Sequence, residues 1–520
     1  MNCKTLILAL LLFIGKTVCG QSYDFRHYQV ESGLSNNATI CCLQDKKGFL
    51  WFGTKDGLNR FDGYTFKIFR SNRNDSGSIG NNFIHSLYED RNGVLWVGTE
   101  NGLYRYNTGT ENFSLLQGTV DGPVTGITMD GNGSLWFIVG FTLFKYKEGR
   151  PLELYDINTH FEATSVCTSA DGTLWVSTSD RYIKKYNSTT DTFTSYDVFD
   201  HSGKANSKWI EKIYAASDGF ILIGTGRQGA KIFNIRSSTY EDIIAYNPDK
   251  TEIFVRNFLQ TSDHEFWIAT ESGIFIYDAV TRHIINLQKK YNDPYSISDN
   301  AVYSFCKDKE GGIWAGTYFG GVNYYPKQHT AFKKYFPVTG ENAVSGNVVR
   351  EIHEDHDGNL WIGTEDAGLN KLNIQTGLFT HFLPTGSKES ISYTNIHGLL
   401  VNDHELWIGT FEHGLDVMNI ATEKVVQHYI AGAGDHALKS NFIYCIAKNT
   451  AGEIMLGTTI GAYTYNRANN NFSPLPLLPL HNWYTSLIED ENGIIWAGTY
   501  GNGLHYYNTK TKKAGNFSYV

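Results

Sequence analysis

One unit returns eleven times along this chain of 520 residues, and a returning unit of this length leaves few folds open. Its fullest copies read DKKGFLWFGTKDGLNRFD from Asp45, DRNGVLWVGTENGLYRYN from Asp90, DHDGNLWIGTEDAGLNKLN from Asp355 and DENGIIWAGTYGNGLHYYN from Asp490. Aligning the copies sets Trp51, Trp96, Trp136, Trp175, Leu222, Trp267, Trp314, Trp361, Trp407, Met455 and Trp496 on one position, 39 to 48 residues apart. Nine of the eleven tryptophans of the chain stand there, so the position is an anchor rather than a coincidence.

Each unit holds four short apolar stretches divided by turn signals. Strand a is a run such as Ile84–Tyr88, followed by D-x-x-G. Strand b is LWxGT, strand c is LxRY beyond an x-x-G turn, and strand d is an outer F-x-x-Y segment such as Phe332–Tyr335. An Asp three residues before a Gly makes a tight turn, because its carboxylate takes backbone N–H groups while Gly accepts positive φ. Abundant Gly (52), Tyr (32) and Phe (31) against few Met (4) suit short strands and tight turns. Period, strand count and aromatic punctuation predict an all-β chain of tandem β-propellers with four-stranded antiparallel blades. Propellers hold four to eight blades, so eleven units need two rings. A seven-bladed ring over 21–340 would then be followed by an incomplete second ring of about four blades over 341–520. The segment Phe25–Val30 reads as a lone strand d able to close a ring. Asn37, Asn82, Asn300, Asn347, Asn395, Asn441 and Asn482 precede strand a and are expected to bond the backbone of the d–a connection.

Residues 1–20 differ from the rest, with Lys4 before the apolar run Thr5–Ile14 and small side chains at the end. They read as a secretory signal cleaved after Gly20, and no later stretch is long and apolar enough to span a membrane. The 53 acidic residues outnumber the 44 basic ones, for a net charge of −9, which argues against nucleic acid as a partner. Cys41, Cys42, Cys167, Cys306 and Cys445 all fall in strand-a stretches and read as buried free thiols.

The D-x-x-G-x-LW-x-GT-x-x-GL-x-R-Y units resemble the two-component regulator propeller repeat, and the opening FRHYQVESGLSNNATICCLQDKKGFLWFGTKDGLNRFDGY is similar to the start of such sensors. The resemblance covers nearly all of the mature chain. It implies a periplasmic sensor of a hybrid two-component system of the kind common in gut Bacteroidetes. Such a sensor binds a polysaccharide-derived oligosaccharide and passes the event on by ring-to-ring or subunit rearrangement. Relatives of this kind are anchored in the inner membrane and carry two seven-bladed rings, an immunoglobulin-like domain, a membrane helix, a histidine kinase and a response regulator. None of those later parts is in the 520 residues, which read as a fragment or a truncated relative. A homodimer would form through that downstream region, and the phosphorelay would run outside these residues.

In a propeller the b–c turns and d–a loops share one rim at the channel mouth, a place for concave polar and aromatic sites. The b–c turns supply Lys55 and Asp56; Arg227 and Gln228; Tyr318 and Phe319; Glu365 and Asp366; Phe411, Glu412 and His413; and Tyr500 and Asn502. Trp209 and Trp483, the tryptophans off the anchor position, both lie thirteen residues before an anchor, at the expected first residue of strand a. Aromatic faces beside carboxylates, amides and Arg are what a sugar requires, so Trp209, Trp483, Tyr318, Phe411 and Tyr500 are read as a glycan-contacting rim. The alternative is that the strand-a aromatics plug the channel or pack between blades. No catalytic constellation, metal site or cofactor motif stands out: His397, His404 and His413 lack metal-ligand spacing, and Glu365, Asp366 and Glu412 are also ordinary turn residues. A secreted protein-interaction scaffold and, behind it, a propeller hydrolase or lyase are the competing readings.

Overall fold

In the computed structural model, the described residues form eleven sheets, every one four-stranded and antiparallel. It describes residues 23–118, 120–155, 161–199, 207–217, 219–327 and 332–518. The proposed leader lies outside the described residues. We number the blades 1 to 11 by their anchors, Trp51 to Trp496. The chain divides into a unit of blades 1–7 (Met1–Thr330) and a unit of blades 8–11 (Ala331–Val520).

What joins blades is the anchor. Trp51 packs against Ile84, Leu95 and Val97 of blade 2. Trp96 meets Val124, Leu135 and Phe137 of blade 3, and Trp136, Trp175, Leu222 and Trp267 continue the series to blade 7. Trp314 of blade 7 then packs on Leu50, Phe52 and Phe61 of blade 1, so the first unit is a closed ring. In the second unit Trp361, Trp407 and Met455 pack on blades 9, 10 and 11 in the same way. Eight anchor tryptophans are 5% exposed or less, and the ninth, Trp496 of blade 11, is half-buried against Tyr506 and Phe517.

The Asp of the a–b turn has a second task that its spacing did not disclose. Asp45 Oδ1 accepts the Phe49 N–H at 2.9 Å while Oδ2 accepts the Trp51 indole N–H at 2.8 Å. The same indole bond recurs at Asp90–Trp96, Asp130–Trp136, Asp308–Trp314, Asp355–Trp361 and Asp490–Trp496. In blades 6 and 9 Glu265 and Glu405, two residues before the anchor, take its place at 3.1 Å. Blades 5 and 10 have neither Trp nor Asp there, but Leu222 with Ala216 and Met455 with Asn449. Only in blade 4 is the pair broken: Ser169 replaces Asp, and the buried Trp175 indole N–H has no acceptor.

Ring closure corrects the expected strand d at Phe332–Tyr335, which is not a strand. The fourth strand of blade 7 is instead Arg26–Tyr28, paired antiparallel with Val322–Tyr324. Tyr28 fills the seam against Phe61 and Trp314, while Tyr335 packs on Phe379 of blade 8. Of the seven asparagines, Asn37, Asn82, Asn300 and Asn441 accept a backbone N–H from the preceding connection at 2.6–3.0 Å. The five cysteines are free thiols on the innermost strands, and burial pushes Cys41, Cys167 and Cys445 up to about 12.

Two substitutions test the indole bond from opposite sides. Asp355→Ala leaves the Trp361 N–H unpaired and is expected to destabilise the second unit by about 2 kcal/mol. Ser169→Asp supplies Trp175 with its missing acceptor and is expected to stabilise the first unit by about 1 kcal/mol. Urea unfolding followed by tryptophan fluorescence reads both.

Candidate functional site

Every innermost strand carries a register shift at the same place, as between Ile210 and Lys212 or between Tyr484 and Ser486. A bulge leaves one residue out of the ladder and turns its side chain away from the sheet. In the first ring the skipped residues are Ile40, His85, Thr125, Thr164, Glu211, Arg256 and Tyr303; in the second unit they are Arg350, His397, Tyr444 and Thr485. All seven of the first set line one axial cavity of about 470 Å³. The bulge is thus what aims side chains at the mouth.

Around the first mouth these residues form a linked polar and aromatic arc. Arg256 bridges Glu211 and Glu271 at 2.7 Å each and lies over the Tyr303 ring at 4.8 Å. Tyr303 donates to Glu271 at 3.0 Å and packs on Tyr318, whose ring meets Phe319. Trp209 donates its indole N–H to Glu211 at 2.8 Å and meets Phe141 edge-on. Lys55 bonds the Tyr318 hydroxyl and lies over that ring and over Phe83, which stacks on His85. Of the residues expected here, Trp209, Tyr318, Phe319 and Lys55 are brought together. Arg227 is not: it pairs with Glu252 at 3.8 Å. Trp209 also stands one residue before its strand rather than at its first position, as does Trp483.

One step inward, the residues opposite the strand-b glycine position are Cys41, Ser86, Gly126, Ser165, Lys212, Asn257 and Ser304. Six are small, and the seventh is a lysine. The glycine of WxGT makes room for this tier: a Cβ on Gly53 would lie 2.4 Å from Cys41 Sγ, and one on Gly98 2.2 Å from Ser86 Oγ. Burial lowers the Lys212 pKa, and the groups that act on it sit on blades 1, 4 and 5, namely Cys41, Cys167 and Glu211. Lys212 lines the axial cavity together with residues of the other blades.

The second unit has its own array. Phe411, Phe442, Trp483 and Tyr500 form a chain of ring contacts with centroids 4.7, 5.8 and 4.9 Å apart. Tyr444 packs on Trp483 and Phe442, His397 packs on both Phe442 and Tyr444, and Arg350 lies over Tyr444 while pairing with Glu365 at 3.2 Å. Tyr500 is 71% exposed. The indole N–H of Trp483 and Nδ1 of His397 are buried without a hydrogen-bond partner among the described residues. Phe411, Glu365, Trp483 and Tyr500 thus gather as a group, whereas three neighbours are spent on turns. Asp366 accepts the Asn347 N–H, His413 stacks on Tyr393, and Asn502 donates to Asn482. Glu412 sits at φ 58° in its turn. The sequence reading missed Glu211, Lys212, Arg256, Arg350, His397 and Tyr444. The signal was available: aligned on the anchors, ten and eleven residues upstream hold the inward-facing pair, shifted by one in blade 9. Among the described residues no group of three or more His, Cys, Asp or Glu could hold a metal ion, and no helix is long and apolar enough to cross a membrane.

Residues 32–56, 78–101, 296–319, 343–366 and 478–501 match the family described as Two component regulator propeller. Each match runs from the d–a connection through strand b. Over 75 residues the chain is 45% identical to histidine kinase P4 of Formosa agariphila, a stretch of 14% of this chain and 6% of that protein. Among solved structures it is similar to the extracellular domain assigned to a hybrid two component system, BT3049, of B. thetaiotaomicron. That match has a TM-score of 0.60 and 23% identity over 96% of this chain and 78% of that one. The extracellular domain of BT4673 from B. thetaiotaomicron gives a TM-score of 0.51 at 18% identity, over 96% and 74%. These likenesses show the fold.

His397 makes the second unit pH-sensitive. Burial first, then the neighbouring Arg350, holds its pKa below the usual histidine value, and Glu365 opposes them. The unfolded chain therefore takes up protons that the folded unit refuses, so stability is complete above about pH 6.5 and falls as pH drops below it. His353, also lowered by burial, adds to the slope. Urea midpoints of the second unit are expected to fall on acidification, and His397→Phe to flatten part of that decline.

Proposed function

We propose that this chain, whose blades carry the two-component regulator propeller repeat, is the extracytoplasmic ligand-sensing module of a two-component system and that its ligand is a polysaccharide-derived oligosaccharide. The observation that carries this reading is the array Phe411–Phe442–Trp483–Tyr500. It offers an exposed ring face beside a buried, unpaired indole N–H, with the Arg350–Glu365 pair alongside. Stacking against the C–H face of a sugar while donors and acceptors meet its hydroxyls is the chemistry such a surface supplies. An unpaired buried N–H favours any ligand that brings an acceptor.

Glu365 is held by Arg350 and Asp366 by a turn N–H, so neither acts as a free acid or base, and binding without turnover is the expected outcome. Signal output and any dimerisation belong to the rest of such a system. Because Trp209 and Trp483 lie in different units, the two mouths can be tested apart. In calorimetric titrations with oligosaccharides chosen from a glycan array, Trp483→Ala is expected to weaken binding by about tenfold or more. If Trp209→Ala and Trp483→Ala both fold and bind unchanged, the reading is wrong. Binding of a protein partner with no glycan bound would favour a scaffold, and release of shortened glycan would identify a hydrolase or lyase.

A further inference from the structure

The inward tier of the first ring contains an unexplained charge. Six of its seven positions hold a small side chain, and the seventh sends the Lys212 ammonium into the axial cavity. Among the described residues that ammonium makes no hydrogen bond or ion pair. Glu211 acts on it through space but makes no direct bond to it. The Cys41 and Cys167 thiols, raised to about 12, stay uncharged, and the Glu211 carboxylate is engaged by Trp209 and Arg256. A half-buried ammonium without a direct hydrogen-bond partner gains from an anion that brings acceptors beside it.

The space around it suits such an anion. At about 470 Å³ the cavity lies within the range of small-molecule sites. Ser86, Thr125, Thr164, Ser165 and Asn257 line it, so a ligand body there meets hydroxyls and an amide. Trp209 and Tyr303 stand at its mouth. Arg256 adds no free charge, since both of its carboxylate partners hold it. The cavity therefore presents one ammonium without a direct partner among polar, hydroxyl-bearing lining residues.

We propose that the axial cavity of the first ring binds a small polyhydroxy carboxylate, with Lys212 as the counter-charge to its single carboxylate. This site is separate from the aromatic array of the second unit and does not depend on the oligosaccharide reading of that array.

Calorimetric titration of the protein and of Lys212→Met with glucuronate, gluconate, uncharged glucuronamide and sulfate decides it. At least one of the two carboxylates is expected to bind the unsubstituted protein, and Lys212→Met to weaken that binding by about thirtyfold or more. Glucuronamide and sulfate are expected to bind far more weakly. Without ligand, Lys212→Met is expected to melt at or above the temperature of the unsubstituted protein, because a half-buried ammonium without a direct partner has been removed. Four results would overturn the proposal: neither carboxylate binds; Lys212→Met binds them unchanged; the amide or sulfate binds as well as the acid; or ligand-free Lys212→Met melts well below the unsubstituted protein, which would make Lys212 a structural strut. Trp483→Ala is expected to leave carboxylate binding intact, which keeps the two sites distinguishable.

Discussion

The structure depends on one contact made again and again: an indole pressed against the apolar face of the next blade, its N–H held by a carboxylate of its own a–b turn. A single blade is too thin to hide both faces. Burying a large aromatic against a neighbour is worth about 2–3 kcal/mol, but only once the neighbour has folded. Stability is therefore a nearest-neighbour property, as in other repeat architectures. Blade 5 has lost both partners, with Leu222 and Ala216 in their places, while blade 10 has lost the Trp but keeps Glu453 two residues before Met455, where it accepts from Asn449 instead. Blade 4 keeps the Trp without the acid, and among the described residues its anchor is the one whose buried indole N–H is orphaned.

The same regularity makes the mouth available for chemistry. Every innermost strand is bulged at one step, and the bulge frees one side chain per blade from the ladder. Those positions are relieved of the packing that constrains the rest of the strand. They vary widely, from Thr125 to Arg256 to His397, while the anchors scarcely change. The tier below stays small because it faces the strand-b glycine position, and Lys212 departs from it with a long side chain that lines the axial cavity. Uniform packing outside and free variation inside allow one scaffold to present different ligand surfaces.

How much of this was legible is best judged residue by residue. The aromatic departures Trp209 and Trp483 stood out because they broke a pattern, and both lie at mouths. The turn residues were a weaker guide. Tyr318, Phe411, Glu365 and Tyr500 reach the mouths, but Arg227, Asp366 and Asn502 are taken up by local ion pairs and hydrogen bonds that spacing does not reveal. The charged groups Glu211, Arg256 and Arg350 escaped notice because strand-a stretches read as apolar runs. A bulge, which sends one member of such a run into the channel, leaves no mark in composition.

The chain by itself determined the blade: its four strands, its turns and its anchor, because each rests on contacts within about forty residues and on the spacing of Trp, Asp, Gly and Thr. Only the tertiary structure decided the closure. Arg26–Tyr28 completes the sheet of blade 7 some three hundred residues later, and Phe332–Tyr335, which has the pattern of an outer strand, is passed over. An outer-strand motif states what can pair but not with which edge, and that choice belongs to whichever strand the geometry of a closed ring brings alongside. The axial position of Lys212 was decided in the same way, by blades that meet across an axis the sequence does not contain.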